Sequence, residues 1–378
     1  MNKLKHIITV VGARPQFVKA AAISRCIQNA FPKIEERIVH TGQHFDDSMS
    51  KIFFDEMQIP APTIHLGSSN NKMSIGQMID ALTVIFSEQQ PEAVLVYGDT
   101  HSTFAASVAA NACQIPLIHV EAGLRSFNKS MPEEINRIFT DHASTLLFCP
   151  TQTGIRNLES EGFNANSKKP YSQDNPGVFL TGDIMLDNLT YFSKKPIDLA
   201  SHPEGEYFVL TMHRPQNADH PDRLQIILKS LMDISKEKNI TCVFPVHPRT
   251  QNTLSEQLPK FWEMIVNSPQ FQICGPQSYL SMIDLLQHAN FVVTDSGGLQ
   301  KEAHFFNKPI VILRKETEWT ELINDKNAIL VDADPQKIAQ IPYWLQNEAS
   351  KNFMPHFGNG HAAEEICRII EEFLNSKP

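Results

Sequence analysis

Short runs of consecutive apolar residues, separated by helix-like stretches, constrain the fold of this chain most strongly. Runs such as Ala93–Tyr97 and Phe291–Thr294 carry apolar side chains at successive positions, which is typical of strands buried on both faces of a parallel sheet. Parallel neighbours need a crossover connection, usually a helix, so strands that alternate with helices indicate βαβ units. The sequence therefore predicts an α/β protein.

The predicted strands form two series. The first series comprises His6–Val11, Arg37–His40, Ala93–Tyr97, Leu117–Val120, Leu146–Cys149 and Val178–Leu180. The second comprises Tyr207–Met212, Thr241–Val246, Phe271–Cys274, Phe291–Thr294 and Ile310–Leu313. Helical patterns between them include Ser74–Gln89, Ser102–Ala112, Asp222–Lys236 and Leu280–His288, and a last helix is predicted at Ala362–Leu374.

The break between the two series predicts two domains, for which 378 residues are sufficient. We expect two Rossmann-like, doubly wound domains, residues 1–180 and 181–359, followed by a C-terminal helix within residues 360–378. The turns "VLVYGDTHSTFAA" and "FVVTDSGGLQKEA" have the same order of strand, Asp, hydroxyl residue and helix. Because such sheets bind ligands beyond the carboxyl ends of their strands, both domains are expected to present these turns to a shared cleft.

Composition excludes several classes of protein. A net charge of −9 argues against a broad nucleic-acid-binding surface. No apolar stretch reaches the roughly 18 residues that span a bilayer, and the N-terminal apolar run stops at Arg14-Pro15, too early for a signal peptide. The six cysteines are scattered without a C-x-x-C pair, as in reduced proteins of the cytoplasm. We expect a cytoplasmic protein without nucleic-acid or membrane partners.

The segment "GARPQFVK", Gly12–Lys19, lies where a dinucleotide-binding turn would lie, but the G-x-G-x-x-G fingerprint is absent. Gly12 permits a tight turn, and Pro15 suits the first turn of a helix, whose N-terminus favours an anion. Arg14 and Lys19 would add the positive charge that a diphosphate needs. A surface turn with two solvated cations is the alternative interpretation, and this segment alone does not separate the two.

Three carboxylates are expected at one edge of the first sheet. Asp99 and Glu121 each follow a buried strand, and Glu133 lies at the start of a helix that also carries Arg137. Ordinary explanations exist, since Asp99 or Thr100 could cap a helix and acids are common in a first helical turn. Crowded carboxylates, however, have pKa values that are pushed apart, so that one can act as a base and another as an acid.

The second domain offers basic and small residues at corresponding positions. His213 and Arg214 follow one predicted strand. Ser296, Gly297 and Gly298 precede a helix, an arrangement that suits a phosphate group. Glu302 lies one turn into that helix, where it could accept hydrogen bonds from ribose hydroxyls.

No metal site and no cofactor are predicted. His40 and His44 are four residues apart, but Thr41-Gly42 forms a turn between them, so the two rings do not share a helix face. These residues are expected to shape the cleft. The missing glycine fingerprint also disfavours a nicotinamide-dependent dehydrogenase.

Nine motifs in order resemble the non-hydrolysing UDP-N-acetylglucosamine 2-epimerase family nearly end to end. They are GARPQFVK, HTGQH, YGDT, HVEAGLRS, MPEEINR, MHRPQN, HPRT, TDSGGLQKEA and NKP. The resemblance implies a glycosyltransferase-B-like fold with the UDP-sugar in the interdomain cleft and the C-terminal helix crossing back to the first domain. It also implies a homodimer that needs no cofactor.

Roles for individual residues follow from the same resemblance. It implies catalytic roles for Asp99, Glu121, Glu133 and His213, the last beside the diphosphate. It implies substrate contacts for Arg14, Lys19, Arg137, Gln277, Ser296, Gly297, Gly298 and Glu302. Of these, Arg14 and Lys19 would approach the diphosphate and the sugar, Gln277 would lie on the uridine side, and Glu302 would contact the ribose.

The reaction implied by the resemblance inverts C2 of an N-acetylhexosamine, whose C2 proton is not acidic. The family is thought to eliminate UDP in the anti sense, giving a 2-acetamidoglucal, and then to add UDP back. Elimination needs a base at C2 and stabilisation of the departing diphosphate, and re-addition needs an acid on the other face. Asp99 and Glu133 are expected to form this acid/base pair, with Glu121 in support.

Departures from the family pattern bear on the substrate. Trp319 stands where many members have an arginine, and Met282 stands where an aromatic residue is common. The loops at 44–47 and 70–73 lack the Gln and Arg residues of members that their own substrate activates, so such activation is not expected here. GARPQFVK together with TEW is similar to the branch that acts on UDP-2,3-diacetamido-2,3-dideoxyglucuronate, a precursor of lipopolysaccharide sugars. Both substrates stay open, as do a hydrolysing epimerase, a glycosyltransferase of the same fold and a non-enzymatic UDP-binding protein.

Overall fold

The computed structural model describes residues 4–43, 57–67, 73–194 and 203–376, apart from the side chain of Arg14. The chain divides into two compact units, Met1–Tyr191 with Pro355–Pro378, and Phe192–Met354. Each unit contains one parallel sheet.

The first unit is built on a seven-stranded parallel sheet with the order β3-β2-β1-β4-β5-β6-β7. Its strands are β1 (Lys5–Val11), β2 (Ile34–His40), β3 (Ile64–His65), β4 (Ala93–Tyr97), β5 (Leu117–Val120), β6 (Leu146–Cys149) and β7 (Gly177–Leu180). Its helices are α1 (Arg14–Ala30), α2 (Ile75–Gln89), α3 (His101–Ala112), α4 (Pro132–Ala143), α5 (Gln152–Ser160) and α6 (Ile184–Phe192).

The central strands of this sheet are buried on both faces, which explains their continuous apolar sequences. All five residues of β4 are fully buried, and Ile8 of β1 and Val94 of β4 belong to one core that α2 and α3 complete. The helix starts are set locally. The side chain of Ser74 accepts a hydrogen bond from the Gln77 N–H at the start of α2, as expected for an N-cap residue.

The C-terminal helix of the chain, Ala362–Ser376, packs against α1, where the Cys367 thiol lies 4.0 Å from the carbonyl oxygen of Ile23. Asp187 in α6 accepts hydrogen bonds from the backbone N–H groups of Ala362 and Ala363, at 3.2 and 2.8 Å. The predicted domain boundary at 180/181 falls just before α6. A hydrogen bond of 2.7 Å from Arg25 to Asn188 joins α6 to α1, and residues up to Tyr191 belong to the first unit.

The second unit is built on a six-stranded parallel sheet with the order β10-β9-β8-β11-β12-β13. Its strands are β8 (Tyr207–Thr211), β9 (Thr241–Pro245), β10 (Phe271–Cys274), β11 (Val292–Thr294), β12 (Ile310–Ile312) and β13 (Ala328–Leu330). Its helices are α7 (Pro215–Ala218), α8 (Pro221–Lys238), α9 (Pro248–Gln257), α10 (Pro259–Val266), α11 (Tyr279–His288), α12 (Gly297–Phe305), α13 (Thr320–Asn324), α14 (Pro335–Ala339) and α15 (Ile341–Asn347). In chain order, the C-terminal helix is then α16.

The prediction of an α/β protein with two parallel sheets is confirmed, and each of the eleven predicted strands is present with shifts of a few residues at its ends. Sequence reasoning missed β3 and β13, which have two and three residues and lie at sheet edges. Such short runs carry too few apolar residues to be distinguished from loops. None of the helices in the described part of the chain is long and apolar enough to cross a bilayer.

Candidate active site

The carboxyl ends of β4 and β5 bring two predicted site residues close together in the first unit. Tyr97 at the end of β4 pairs with Val120 at the end of β5, so the turns that carry Asp99 and Glu121 start side by side. Gly98 connects β4 to Asp99 with a φ of 60°, in the left-handed region. A Cβ at this position would lie 3.0 Å from the Lys19 ammonium and 3.4 Å from a Glu121 carboxylate oxygen, so a side chain there would press on both groups.

Lys19 and Glu121 form an ion pair against this glycine. The Lys19 Nζ to Glu121 Oε1 distance is 2.6 Å, and the two side chains are 8% and 11% exposed. Lys19 comes from α1 and Glu121 from the turn after β5, where its φ of 72° is unusual for a residue with a side chain. Residues in this region are typically held there by their surroundings and concentrate at functional sites. The ion pair with Lys19 is one such constraint.

Asp99 is held by two residues of α4. The guanidinium of Arg137 donates two hydrogen bonds to Asp99 Oδ2, one of them from Nε at 3.1 Å. Asn136 donates from its side-chain amide to the Asp99 carbonyl oxygen at 2.9 Å. The Asp99 side chain nevertheless remains 28% exposed. Its carboxylate is therefore both oriented and accessible, as a general base requires.

The neighbouring glutamates of α4 have different environments. Glu134 is buried and accepts hydrogen bonds of 2.8–2.9 Å from Ser126, Phe127 and Arg137, which makes it a structural residue of the loop before α4. Glu133 is exposed and lies one helical turn before Arg137. The sequence "PEE" does not distinguish the two carboxylates, because their difference depends on the direction in which each leaves the helix.

Gln16 organises the turn that contains Gly12, although the sequence did not single it out. Its side-chain oxygen accepts hydrogen bonds from the N–H groups of Gly12 and Ala13 at 2.8 and 3.1 Å, and its amide donates to the Tyr97 carbonyl at 3.1 Å. The turn before α1 is thereby tied to the end of β4. The backbone of Arg14 begins α1, whereas its side chain lies outside the described part of the structure.

His40 is a packed residue of the first unit. Its ring stacks on that of Phe17 at 5.1 Å, and its Nδ1 accepts a hydrogen bond from the Gly42 N–H at 3.0 Å. Burial lowers the pKa of His40 to about 4, so the ring is neutral at physiological pH. Residues 44–47 and 70–72, including His44, lie outside the described residues, so the expectations that rest on them stay predictions.

In the second unit, Asp295 organises the turn that carries His213. Asp295 is fully buried and accepts hydrogen bonds of 3.1 Å from the backbone N–H groups of His213 and Arg214 and from the Asn217 amide. The His213 ring nitrogen Nδ1 lies 3.3 Å from Asp295, and its side chain is 42% exposed. In the sequence, Asp295 is visible only as part of the "TDSGG" pattern, and its position directly after an apolar strand is the signal that points to it.

Ser296, Gly297 and Gly298 form the N-terminus of α12, as the sequence suggested. The Ser296 hydroxyl accepts a hydrogen bond from the Leu299 N–H at 3.5 Å. Gly298 is exposed, and a Cβ there would meet no heavy atom within 4 Å. Glu302 is buried in the same helix at 7% exposure. The exposed backbone at this helix start suits an anion.

Gln277 precedes α11 in the second unit. It is partly buried, and its side-chain amide donates to the Gly275 carbonyl oxygen at 2.8 Å. This contact bends its side chain back on its own loop.

Trp319 is attached to the Ser296–Gly298 turn. Its indole N–H donates to the Gly297 carbonyl oxygen at 3.0 Å, and the Lys301 ammonium lies over the indole ring, 4.5 Å from its centroid. Lys301 is only 2% exposed. Positive charge is therefore present beside this turn even though Trp319 is itself uncharged. This charge is that of Lys301, which lies in the second turn of α12 and makes a cation–π contact with the indole ring.

Comparison with known proteins identifies the family. The sequence model of UDP-N-acetylglucosamine 2-epimerase matches residues 27–371 of the chain. The chain is 40% identical to the UDP-2,3-diacetamido-2,3-dideoxy-D-glucuronate 2-epimerase of Pseudomonas aeruginosa, over 96% of this chain and 99% of that protein. It is also 40% identical to the UDP-N-acetylglucosamine 2-epimerase homolog of Methanococcus maripaludis, with the same coverage of both proteins.

Solved structures agree in fold. The Methanocaldococcus jannaschii UDP-GlcNAc 2-epimerase, crystallised with UDP-GlcNAc and UDP, superposes with a TM-score of 0.83 at 31% identity. The match covers 97% of this chain and 99% of the other. With two parallel sheets of Rossmann type and this likeness, the chain has the fold of the glycosyltransferase-B type, as predicted.

The family match and these relatives thus make the chain an isomerase of the epimerase class. The chain belongs to the UDP-N-acetylglucosamine 2-epimerase family.

Proposed function

We propose that the protein is a non-hydrolysing UDP-sugar 2-epimerase that inverts C2 of a UDP-N-acetylhexosamine by elimination and re-addition of UDP. The observation that carries the proposal is that two carboxylates on adjacent turns each pair with a cation. Asp99 pairs with Arg137, and Glu121 pairs with Lys19. Such a site can remove a proton from carbon and neutralise a departing diphosphate in the same small region.

In the first half of the reaction, a carboxylate removes the C2 proton, and the C2–H electron pair forms the C1–C2 double bond of a glucal. The C1–O bond breaks at the same time, and its electron pair leaves on the β-phosphate oxygen of UDP. In the second half, that oxygen attacks C1 while C2 takes a proton on the opposite face. We assign the two proton transfers to Asp99 and Glu133, and a supporting role to Glu121.

Substrate binding is assigned to residues near the carboxyl ends of the strands in each unit. Lys19, Arg14 and Arg137 would contact the sugar and the diphosphate from the first unit. The second unit would bind the nucleotide part through His213, Gln277, Ser296, Gly297, Gly298 and Glu302. The helix start at Ser296–Gly298 supports the phosphate assignment, because Gly298 is exposed and the first N–H groups of a helix favour an anion.

Two substrates fit this proposal, UDP-N-acetylglucosamine and UDP-2,3-diacetamido-2,3-dideoxyglucuronate. The two relatives at 40% identity carry one name of each kind, so sequence identity does not separate them. The second substrate adds a carboxylate, which would need a further cation.

Incubation of the purified protein with each UDP-sugar in deuterated water, followed by proton NMR, tests the proposal. We expect loss of the C2 proton signal and formation of the manno epimer, with UDP retained on the sugar. Rapid accumulation of free sugar and UDP would instead indicate a hydrolysing epimerase, and transfer to an added acceptor would indicate a glycosyltransferase. Absence of C2 exchange with both sugars would overturn the proposal.

A pair of exposed glutamates tests the role of Glu133. We expect Glu133→Gln to reduce C2 exchange by about 10²- to 10⁴-fold, the usual contribution of a general acid or base. Glu159→Gln, which changes an exposed glutamate of α5, is the matched control and should keep the wild-type rate. Equal rates for the two variants would remove Glu133 from the mechanism.

We also propose that the enzyme works in the cytoplasm as a homodimer and supplies a cell-surface polysaccharide such as lipopolysaccharide. This part of the proposal rests on family membership. Sedimentation equilibrium should give twice the 42.6 kDa mass of one chain; a monomer would contradict the dimer.

A further inference from the structure

Behind the two catalytic turns lies a chain of four ionisable side chains. Arg125 donates to both carboxylate oxygens of Glu161, at 2.7 and 2.6 Å, and to Asp141 Oδ2 at 2.7 Å. The other Asp141 oxygen lies 2.7 Å from His119 Nδ1, and His119 Nε2 lies 2.8 Å from the carbonyl oxygen of Gly98. The side chains of His119 and Asp141 are completely inaccessible to solvent.

The partners of His119 determine where its protons lie. A carbonyl oxygen only accepts, so Nε2 must carry a proton to bond Gly98. Asp141 already accepts hydrogen bonds from Arg125 and from the Gly123 N–H, at 2.7 and 3.1 Å. Burial opposes the charge of Asp141, but His119 and Arg125 outweigh it and hold the pKa of this carboxyl below its ordinary value. An ionised Asp141 requires a proton on Nδ1 as well.

The charges of Arg125, Asp141 and Glu161 are balanced when His119 is an imidazolium. Arg125 and His119 then supply two positive charges against the negative charges of Asp141 and Glu161, whereas a neutral His119 would leave a net negative charge in a buried cluster. Two further titratable groups face the cluster. His142 lies 3.4 Å from Glu161 at the solvent side. Burial, together with the charge of Asp141, raises the pKa of the Cys149 thiol, which therefore stays neutral.

The cluster reaches the first catalytic turn through His119. His119 holds the carbonyl oxygen of Gly98, the residue that immediately precedes Asp99. Gly98 has a left-handed backbone with a φ of 60°, and because glycine adopts positive and negative φ about equally readily, its contacts select this conformation. A hydrogen bond from a buried cation to this carbonyl is such a contact, because charge-assisted hydrogen bonds are stronger than neutral ones.

The same cluster reaches the other two carboxylates through Asp141. Asp141 accepts from the N–H of Gly123, two residues after Glu121, where φ is again positive at 78°. Asp141 itself belongs to α4, the helix that begins with Pro132 and carries Glu133. His119 and Asp141 together therefore contact or belong to all three segments that bear the proposed catalytic groups.

We propose that His119 is an imidazolium in the folded protein and that His119 and Asp141 are the positioning residues that set the relative placement of Asp99, Glu121 and Glu133. The catalytic consequence rests on the proposed epimerase function, whereas the charge of His119 can be measured without substrate. Loss of the imidazolium would displace the turns that transfer protons and leave the nucleotide-binding residues of the second unit in place. The effect should therefore fall on kcat and not on UDP affinity.

The first arm of the test measures the protonation of His119 in the wild-type protein. Two-bond ¹H–¹⁵N spectra of the histidine rings distinguish imidazolium from either neutral tautomer, and triple-resonance experiments on the ¹³C/¹⁵N-labelled wild-type protein assign the ring signals of His119. We expect both ring nitrogens to be protonated at pH 7. A neutral ring at pH 7 would overturn the proposal, even if no variant folds.

The second arm measures turnover. We expect His119→Gln to lower kcat about 100-fold, the cost of a small misplacement of reacting groups, with the Kd for UDP unchanged. Ser107→Ala is the matched control. It removes a buried hydrogen bond of 3.0 Å between Ser107 of α3 and Thr140 of α4, and Thr140 is the residue before Asp141. The kcat of this variant should equal that of the wild type.

The outcomes separate the two proposals. If His119→Gln retains the kcat of Ser107→Ala, or loses UDP binding in parallel with kcat, the positioning role is overturned. If the wild-type protein exchanges no C2 proton with either UDP-sugar, the proposed function fails, and the NMR arm still decides whether His119 is charged.

Discussion

The turns after β4 and β11 have the same local order of strand, aspartate, hydroxyl residue and helix, but their aspartates differ in role. Asp99 is separated from its strand by Gly98 and keeps a partly exposed carboxylate, bonded to the Arg137 side chain. Asp295 follows Thr294 of β11 directly, is fully buried, and holds the backbone N–H groups of another turn. One inserted glycine thus separates an aspartate available for chemistry from one that supports the structure.

The hydroxyl residues of the two turns, by contrast, act alike. Thr100 accepts a hydrogen bond from the Thr103 N–H, and Ser296 accepts one from the Leu299 N–H, so each caps the helix that follows. A local motif therefore determined helix capping in both units, whereas the role of the aspartate depended on the backbone before it.

The largest effect that tests this comparison is expected for Asp99→Asn. The variant keeps the shape of the side chain but removes its basicity, so C2 exchange should fall by about 10²- to 10⁴-fold. Its thermal unfolding midpoint should stay close to that of the wild type, because the side chain is partly exposed. Exchange at the full rate would show that Asp99 is not the base.

Asp295→Asn should show the opposite pattern. It replaces charge-assisted hydrogen bonds with weaker neutral ones. The NH2 group of the asparagine would also face N–H donors that now bond to a carboxylate oxygen. We therefore expect a stability loss of about 3 kcal/mol. The unfolding midpoint of the second unit, followed by Trp fluorescence, measures this loss. A variant as stable as the wild type would show that the two aspartates do not divide the roles as described.

A smaller effect concerns the glycines of the two turns. Gly98→Ala should cost about 1–2 kcal/mol for its left-handed backbone alone, and it would press on the Lys19 ammonium 3.0 Å away. Gly298→Ala is the control, because nothing lies within 4 Å of a Cβ there. Equal unfolding free energies for both variants, by urea denaturation, would contradict the close approach at Gly98.

A further effect is a pH dependence at Asp187, which, like Asp295, accepts hydrogen bonds from backbone N–H groups. Burial raises the pKa of Asp187 to about 6, above the value of about 3.9 in an unfolded chain. The folded chain therefore keeps a proton that the unfolded chain releases, and this contribution to stability is complete below about pH 4 and is lost as pH rises through 6.

Asp187→Asn should remove the contribution of this residue to the change of unfolding free energy with pH. The variant retains a side-chain oxygen that can accept hydrogen bonds from Ala362 and Ala363. Unfolding midpoints at pH 4, 5, 6 and 7 measure this pH dependence of stability. As pH rises, the stability of the variant should increase relative to that of the wild type. A difference that is constant over this range would mean that Asp187 titrates alike in the folded and unfolded chains.

Much of the architecture was predictable because its causes are local. Continuous apolar runs indicated the central strands, and Pro132 or Ser296 indicated where helices begin. The edge strands β3 and β13 were not predictable, since pairing to a neighbour and not their own few residues makes them strands. Glu134 and Gln16 were missed for a related reason: their importance depends on partners remote from the local pattern that sequence reasoning uses.

The sequence by itself determined the class of the fold, the order of the strands along the chain and the residue types at the strand ends, because periodicity and turn chemistry act over a few residues. Only the tertiary structure decided which acids are accessible and which are buried. The direction of a side chain depends on backbone angles such as that of Gly98, and the partners of His119 and Asp141 come from three segments that the sheet brings together. Chemistry at the site therefore depends on contacts between distant residues that no local pattern records.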